Sequence, residues 1–293
     1  MSFNTKYNLI KNLVKDEIAI IEENMVSQIQ LREPLQSSLT KFLKAPAKRI
    51  RPLLAILYIK ALGEELNQKQ LEHLTVVEMV HNASLIHDDI IDESKIRRGT
   101  ETINANFDNK LAVISGDYIL ALSMEKLTKI GNIELINDFS QVILQMCIGE
   151  INQNFNRFKI GTIEEYIEKT KNKTAYLFEI SLTGCAKLRN KQLELKNFSE
   201  LGLNVGIAFQ IRDDLINMTN SDSSKPANND LKDGIYTAPI ILGDQSDNFA
   251  SGIEKTKILL NNYLQSAKQQ VTTLPNSEYK KALEEFLELL KYV

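Results

Sequence analysis

The stretch Val76–Ser94, VVEMVHNASLIHDDIIDES, opens with a mainly apolar run, Val76–Ile86, and carries three aspartates in its second half. Its apolar residues recur with helical spacing and never sustain the alternation of a half-buried strand. On a helix Asp88 and Asp92 stand one turn apart on the same face, with Asp89 about 100° round. Two carboxylates so placed repel each other. At the end of a buried helix the pair is costly unless a cation or basic groups neutralise it. Oxygen ligands of this kind suit magnesium, which binds through one or two carboxylates plus substrate phosphates. A solvated acidic helix end is the other reading of the same residues.

Outward from this stretch the helical pattern continues almost from end to end, for example through Ile10, Leu13, Val14, Ile18 and Ile21. Only 12 glycines and 6 prolines occur among 293 residues, about half the share that average usage gives, which favours long helices. Thr162 followed by Glu165 marks a helix start through a capping box. Loops are expected at Thr219–Asn229, at Leu242–Gly252 and around Pro275. None is long enough for an interdomain linker, so the expected fold is all-α, a single large helical bundle forming one domain over residues 1–293.

The composition excludes several function classes. With 43% hydrophobic and 25% charged residues the chain is globular material with ample core. A net charge of −3 rules out a globally basic nucleic-acid binder. The most apolar stretches, such as Leu111–Met124, are interrupted by Gly116 and Asp117, too early for a membrane span. The N-terminus has neither an apolar core region nor a cleavage site, so it does not read as a signal peptide. Cys147 and Cys185, with no metal-site spacing, are expected to be buried thiols in a reducing compartment, and the expected location is cytoplasmic.

A second acidic cluster, Asp213, Asp214 and Asn217 in FQIRDDLIN, repeats the spacing of the first and again follows an apolar helical run. Facing each other, the two clusters could hold divalent ions between them and clamp a diphosphate. Basic residues recur at helix boundaries: Lys48, Arg49 and Arg51 in AKRIRP, Arg97 and Arg98 in KIRRGT, Lys171 and Lys173 in KNKTA, and Lys225 in SKPANND. Arginine donates two parallel hydrogen bonds to phosphate and lysine supplies a mobile point charge. Each taken alone reads as a surface charge.

These motifs, in this order, resemble those of the trans-prenyltransferases, the polyprenyl diphosphate synthase family. The resemblance runs from about Ala47 to about Pro239. AKRIRP is similar to the family's GKRxRP, and HDDIIDESKIRRGTETIN to its first aspartate-rich motif with the paired arginines. GDYILA at Gly116–Ala121, GEINQ at Gly149–Gln153 and KTAYLF at Lys173–Phe178 follow, then FQIRDDLIN and KPANNDLKDGIYTAP.

The resemblance implies an isoprenoid-synthase bundle with the aspartate motifs facing across a central cavity, assembled as a homodimer. It implies Mg2+ bound by Asp88, Asp92 and Asp213. Arg97, Lys173, Thr174, Gln210 and Lys225 would hold an allylic diphosphate, and Lys48, Arg51, His81 and Arg98 would hold isopentenyl diphosphate. Without the resemblance, His81 reads as a satisfied core histidine. The resemblance further implies that diphosphate departure would ionise the allylic carbon, that the alkene of isopentenyl diphosphate would attack it, and that the departing diphosphate would take the proton, so no side chain is expected to serve as general base.

The resemblance also places product-length control on the helix before Asp88. Ala83 and Ser84 stand where short-chain relatives carry a bulky aromatic, so the tunnel is expected to stay open toward Val80, Met79 and Val76, with Met79 as a partial floor. A product of geranylgeranyl length or longer follows. Three departures bear on activity: Asn217 replaces an aspartate, Ile235 replaces the lysine that usually follows the glycine, and the basic tail of many relatives is missing after LELLKYV. A non-catalytic partner subunit of a heteromeric synthase is therefore the alternative. A terpene cyclase fits less well, because AKRIRP and Arg97/Arg98 make sense for a second diphosphate substrate.

Overall fold

A computed structural model describes residues 3–189, 195–219 and 233–291. It is helical nearly throughout. The helices are α1 (Phe3–Asn12), α2 (Lys15–Val26), α3 (Leu35–Lys44), α4 (Ile50–Ala61), α5 (Gln68–Ile91), α6 (Ile103–Asn106), α7 (Asn109–Ile130), α8 (Ile133–Phe155), α9 (Ile163–Thr170), α10 (Tyr176–Lys187), α11 (Leu195–Thr219), α12 (Ala238–Ile241), α13 (Ala250–Thr272) and α14 (Glu278–Leu289).

The two aspartate-rich stretches lie on long helices. α5 starts at a capping box, in which Asn67 accepts from the Gln70 amide at 2.9 Å and Gln70 accepts from the Asn67 amide at 2.8 Å. It ends at Asp92, whose amide donates to the Asp88 carbonyl at 2.8 Å. Beyond it the chain turns back through Glu93, at φ 51°. Thr162 and Glu165 form the expected capping box at the start of α9.

One local structure departs from the all-helical expectation. Strands β1 (Ile96–Arg97) and β2 (Thr100–Glu101) form a short antiparallel ribbon pairing Arg97 with Thr100. Its turn residues Arg98 and Gly99 have φ of 52° and 74°, as a two-residue hairpin turn with positive φ at both positions requires. The paired arginines thus occupy a strand and a turn.

Three apolar clusters fix the helices around a cavity. The largest joins α1, α2 and α4 to α10, α11, α13 and α14. A second joins α5 to α2, α3 and α7, and a third joins α5 to α7, α8 and α10. Close approach of α11 to the α10 region depends on two glycines. A Cβ at Gly202 would stand 2.5 Å from Glu179 Cα, and one at Gly206 would stand 2.6 Å from Ala175 Cα. Residues Lys171–Ala175, which join α9 to α10, form a π-helical turn, a feature concentrated at functional sites.

Candidate active site

The cavity between α5, α7, α8, α10 and α11 has a volume of 580 Å³, and both Asp88 and Asp213 line it. Its walls are mostly apolar, from Val80 and Leu85 on α5 to Ile143 and Met146 on α8 and Leu177 on α10. A smaller adjoining cavity of 210 Å³ is polar, with Asp92 on one side and Asp214 and Asn217 on the other. Lys173, Thr174 and Gln210 line both. Residues from the two acidic clusters thus face one another, with a lysine and two hydrogen-bonding side chains at the junction. A groove of 670 Å³ between α8, α10 and α11 contains none of the expected site residues.

The junction is tied by a chain of hydrogen bonds. Thr174 Oγ1 donates to Gln210 Oε1 at 2.9 Å, and Gln210 Nε2 donates to Asp214 Oδ1 at 2.9 Å. Tyr166 Oη donates to Asp214 Oδ2 at 2.7 Å. Asp214 is therefore held in place by α9. Lys173 Nζ lies 2.6 Å from Glu150 Oε2, and that carboxylate, with those of Asp88 and Asp92, pushes its pKa up despite burial. Glu150 and Tyr166 were not among the expected site residues, and Asp214 was expected only as a member of the second acidic cluster. The GEINQ motif was the available signal for Glu150, and FQIRDDLIN for Asp214.

The carboxylates are electrostatically stressed. Burial raises the Asp88 pKa to about 6, with Glu150 and Asp92 adding to the rise and Lys173 opposing it. Burial also raises Asp92 and Asp213. These groups gain from an added positive charge. Among the described residues no three carboxylate, histidine or cysteine side chains converge on one point. A hard cation held there would draw one or two carboxylates from the chain and its remaining oxygens from elsewhere, the donor set of magnesium with a phosphate substrate.

A cationic region lies beside the cavity. Arg51 lines it, with its guanidinium 4.7 Å from the Phe178 ring, and its buried Nε has no partner. Burial lowers its pKa to about 10. His81 also lines the cavity, and burial together with Arg51, Arg98, Arg49 and Arg97 drives its pKa well below the usual value. It is neutral at pH 7 and offers one N–H donor. Arg97 Nε donates to Asp89 at 2.7 Å, and Arg98 donates to Asn82 Oδ1 at 3.1 Å. Arg49 is structural: buried, it pairs with Glu22 at 3.0 Å and Glu78 at 3.2 Å.

Some expected positions differ. Lys48 is exposed, outside the cavity walls, its ammonium 4.9 Å over Phe3, although Asp213 lies within electrostatic reach. Met79 is fully buried among Met25, Leu39 and Phe42 and lines no part of the cavity. The wall follows the Val80–Ser84–Asp88 row, and Met79 points about 100° away from it. Val76 is likewise buried outside the wall. Ala83 and Ser84 do line the cavity, as does Val80 one turn deeper. Cys147 is exposed instead of buried, because the row Ile143–Cys147–Ile151 faces the cavity and its mouth; Cys185 is buried as expected. Ile235 and Asn217 both border the polar cavity. Lys225 lies outside the described residues, as does most of the Thr219–Asn229 stretch.

Comparison with known proteins agrees with this geometry. The polyprenyl synthetase family model matches residues 32–278. A prenyl transferase of Synechocystis sp. is 32% identical over 311 residues, covering 96% of this chain and 95% of its own. Solanesyl diphosphate synthase 2, chloroplastic, of Arabidopsis thaliana is 32% identical, covering 94% of this chain and 74% of that protein. The crystal structure of heptaprenyl diphosphate synthase from Staphylococcus aureus superposes with a TM-score of 0.87 at 25% identity, over 95% of this chain and 98% of that one. No helix among the described residues is long and apolar enough to cross a membrane. With its all-α bundle and a family match over most of its length, the chain belongs to the polyprenyl synthetase family and is a prenyltransferase.

Proposed function

We propose that the protein condenses isopentenyl diphosphate with an allylic diphosphate, in a Mg2+-dependent reaction, to give a trans-polyprenyl diphosphate of geranylgeranyl length or longer. The observation that carries this reading is the junction of Lys173, Thr174 and Gln210 between a polar cavity and a deeper apolar one. A diphosphate head fits the first and a growing hydrocarbon tail the second.

Asp88, Asp92 and Asp213 are the residues we assign to hold magnesium, with Asp214 supporting the site. The bound metal supplies positive charge that stabilises the leaving diphosphate. Lys173 donates to the same diphosphate, releasing Glu150 as it does so, while Thr174 and Gln210 orient it. Arg97 and Lys225 are assigned to this substrate by resemblance. As the allylic C–O bond breaks, its electron pair leaves with the diphosphate. The isopentenyl alkene then forms the new C–C bond, and loss of a proton to the departed diphosphate restores an alkene. Arg51 and neutral His81 hold isopentenyl diphosphate, with Lys48 and Arg98 assigned to it by resemblance only. The apolar walls exclude water that would quench the cation.

The open level at Ala83 and Ser84 supports a long product, because the cavity continues past it to Val80. We also read the chain as a homodimer, consistent with exposed Val113, Ile114 and Leu144 on α7 and α8. The retained Asp88, Asp92, Arg97, Arg98 and Lys173 favour an active enzyme over a non-catalytic partner subunit. Steady-state turnover of Asp88→Ala and Lys173→Ala tests the assignment: each should lose at least about a hundredfold in kcat with the helical circular dichroism unchanged. A fully active Asp88→Ala variant would contradict it.

A further inference from the structure

The polar cavity contains a second lysine. Lys169, on the last turn of α9, lines the 210 Å³ cavity together with Lys173, Asp92 and Ile235. It also lines the adjoining 460 Å³ cleft, again with Ile235. The α9 helix runs into the π turn at Thr170–Lys171, and Lys169 and Thr170 recur one turn on as Lys173 and Thr174. All four side chains line the same cavity wall. The Lys169 ammonium stands 5.5 Å from the centre of the Tyr166 ring, whose hydroxyl is bound to Asp214. Lys169 is thereby kept on the side of the second acidic cluster.

The segment before α12 lacks a cation at one position. Ile235 follows Gly234 where the resemblance leads one to expect a lysine, and its side chain borders both cavities that Lys169 borders. The sec-butyl side chain of Ile235 cannot balance phosphate charge. Lys169 approaches the same space from α9 with an ammonium on a four-carbon stem, able to reach a phosphate oxygen as a point charge.

We propose that Lys169 is a further diphosphate-binding residue, supplying from α9 the phosphate-side cation that Ile235 does not supply from the segment before α12. The inference rests on the diphosphate site proposed above. It places Lys169 and Lys173 on one substrate group, and it predicts that a cation on either wall serves the same purpose.

The test uses the full chain with magnesium and inorganic pyrophosphate, followed by titration calorimetry, and the KM for farnesyl diphosphate. Lys169→Met should weaken pyrophosphate binding and raise the allylic KM about tenfold while leaving the KM for isopentenyl diphosphate unchanged. Lys169→Arg should keep most of the affinity, and Ile235→Lys added to Lys169→Met should restore it to within about twofold. Unchanged pyrophosphate affinity and allylic KM in Lys169→Met would overturn the inference. So would a loss that neither Lys169→Arg nor Ile235→Lys repairs, since that is the behaviour of a structural lysine. If wild type binds pyrophosphate in a way that needs Lys173 but not Lys169, only this inference falls. If wild type binds none, the diphosphate site itself falls with it.

Discussion

Single side chains decide how deep the cavity runs. Ala83 and Val80 line it, whereas Met79, their neighbour on α5, is buried among Met25, Leu39 and Phe42. Ala83→Phe should therefore shorten the product, read by chromatography of the dephosphorylated chains, and an unchanged length would place the tunnel elsewhere. Met79→Ala should leave length unchanged and lower stability by about 2–5 kcal/mol, the cost of truncating a buried methionine, measured by denaturant unfolding. The sequence made the stripe through Ala83 and Ser84 legible but gave Met79 the wrong orientation. A helical repeat tells which residues share a face; it does not say which of two adjacent buried stripes meets a cavity and which meets α2 and α3. The same limit hid the side to which Asp214 of the second acidic cluster points. Adjacent in sequence to Asp213, it points to a different cavity, and its bonds from Tyr166 on α9 and Gln210 on α11 reveal its side.

At the scale of elements, the site depends on how α11 packs against the π turn that carries Lys173 and Thr174. Gly206 makes that approach possible, since a Cβ there would lie 2.6 Å from Ala175 Cα and 2.9 Å from its Cβ. Gly206→Ala should therefore push α11 from the π turn and lengthen the Thr174–Gln210 hydrogen bond. We expect it to lower stability by about 1–3 kcal/mol, as overpacking does, and to depress kcat. A variant of normal stability and turnover would show that this contact has no role. The capping box at Thr162 was legible because its residue types and spacing are local. The π turn was not, because KNKTA has no composition that distinguishes it from ordinary helix. The short ribbon at Ile96–Glu101 was missed for a related reason: two residues per strand are too few to show an alternating pattern.

Across the whole molecule, the core places a titratable group far from any solvent. His73 is fully buried, its Nε2 is 2.9 Å from the Ile180 carbonyl, and its Nδ1 has no partner. Burial lowers its pKa to about 4, with the backbone hydrogen bonds to Ile180 and Ser181 opposing the fall. Between that value and the unfolded histidine pKa of about 6.5, the unfolded chain binds a proton that the folded chain refuses. Stability from this residue is thus complete above about pH 6.5 and is lost as pH falls toward about 4, by up to about 3 kcal/mol. Urea unfolding of wild type and His73→Gln across that range should show the difference shrinking at low pH. A constant difference would mean that His73 is protonated in the fold. All-α architecture was readable from the scarcity of glycine and proline and from unbroken helical spacing. The pairing of helices around two joined cavities was not, because long-range packing leaves no local mark.

In the proposed reaction an allylic diphosphate is elongated within the cavity between Asp88 and Val80. Purified protein incubated with labelled isopentenyl diphosphate, magnesium and each allylic primer, followed by chromatography of the dephosphorylated products, tests it directly. We predict a ladder of products that ends at a single length, geranylgeranyl or longer. A folded protein that elongates no primer, or one whose products stop at farnesyl length, would contradict it.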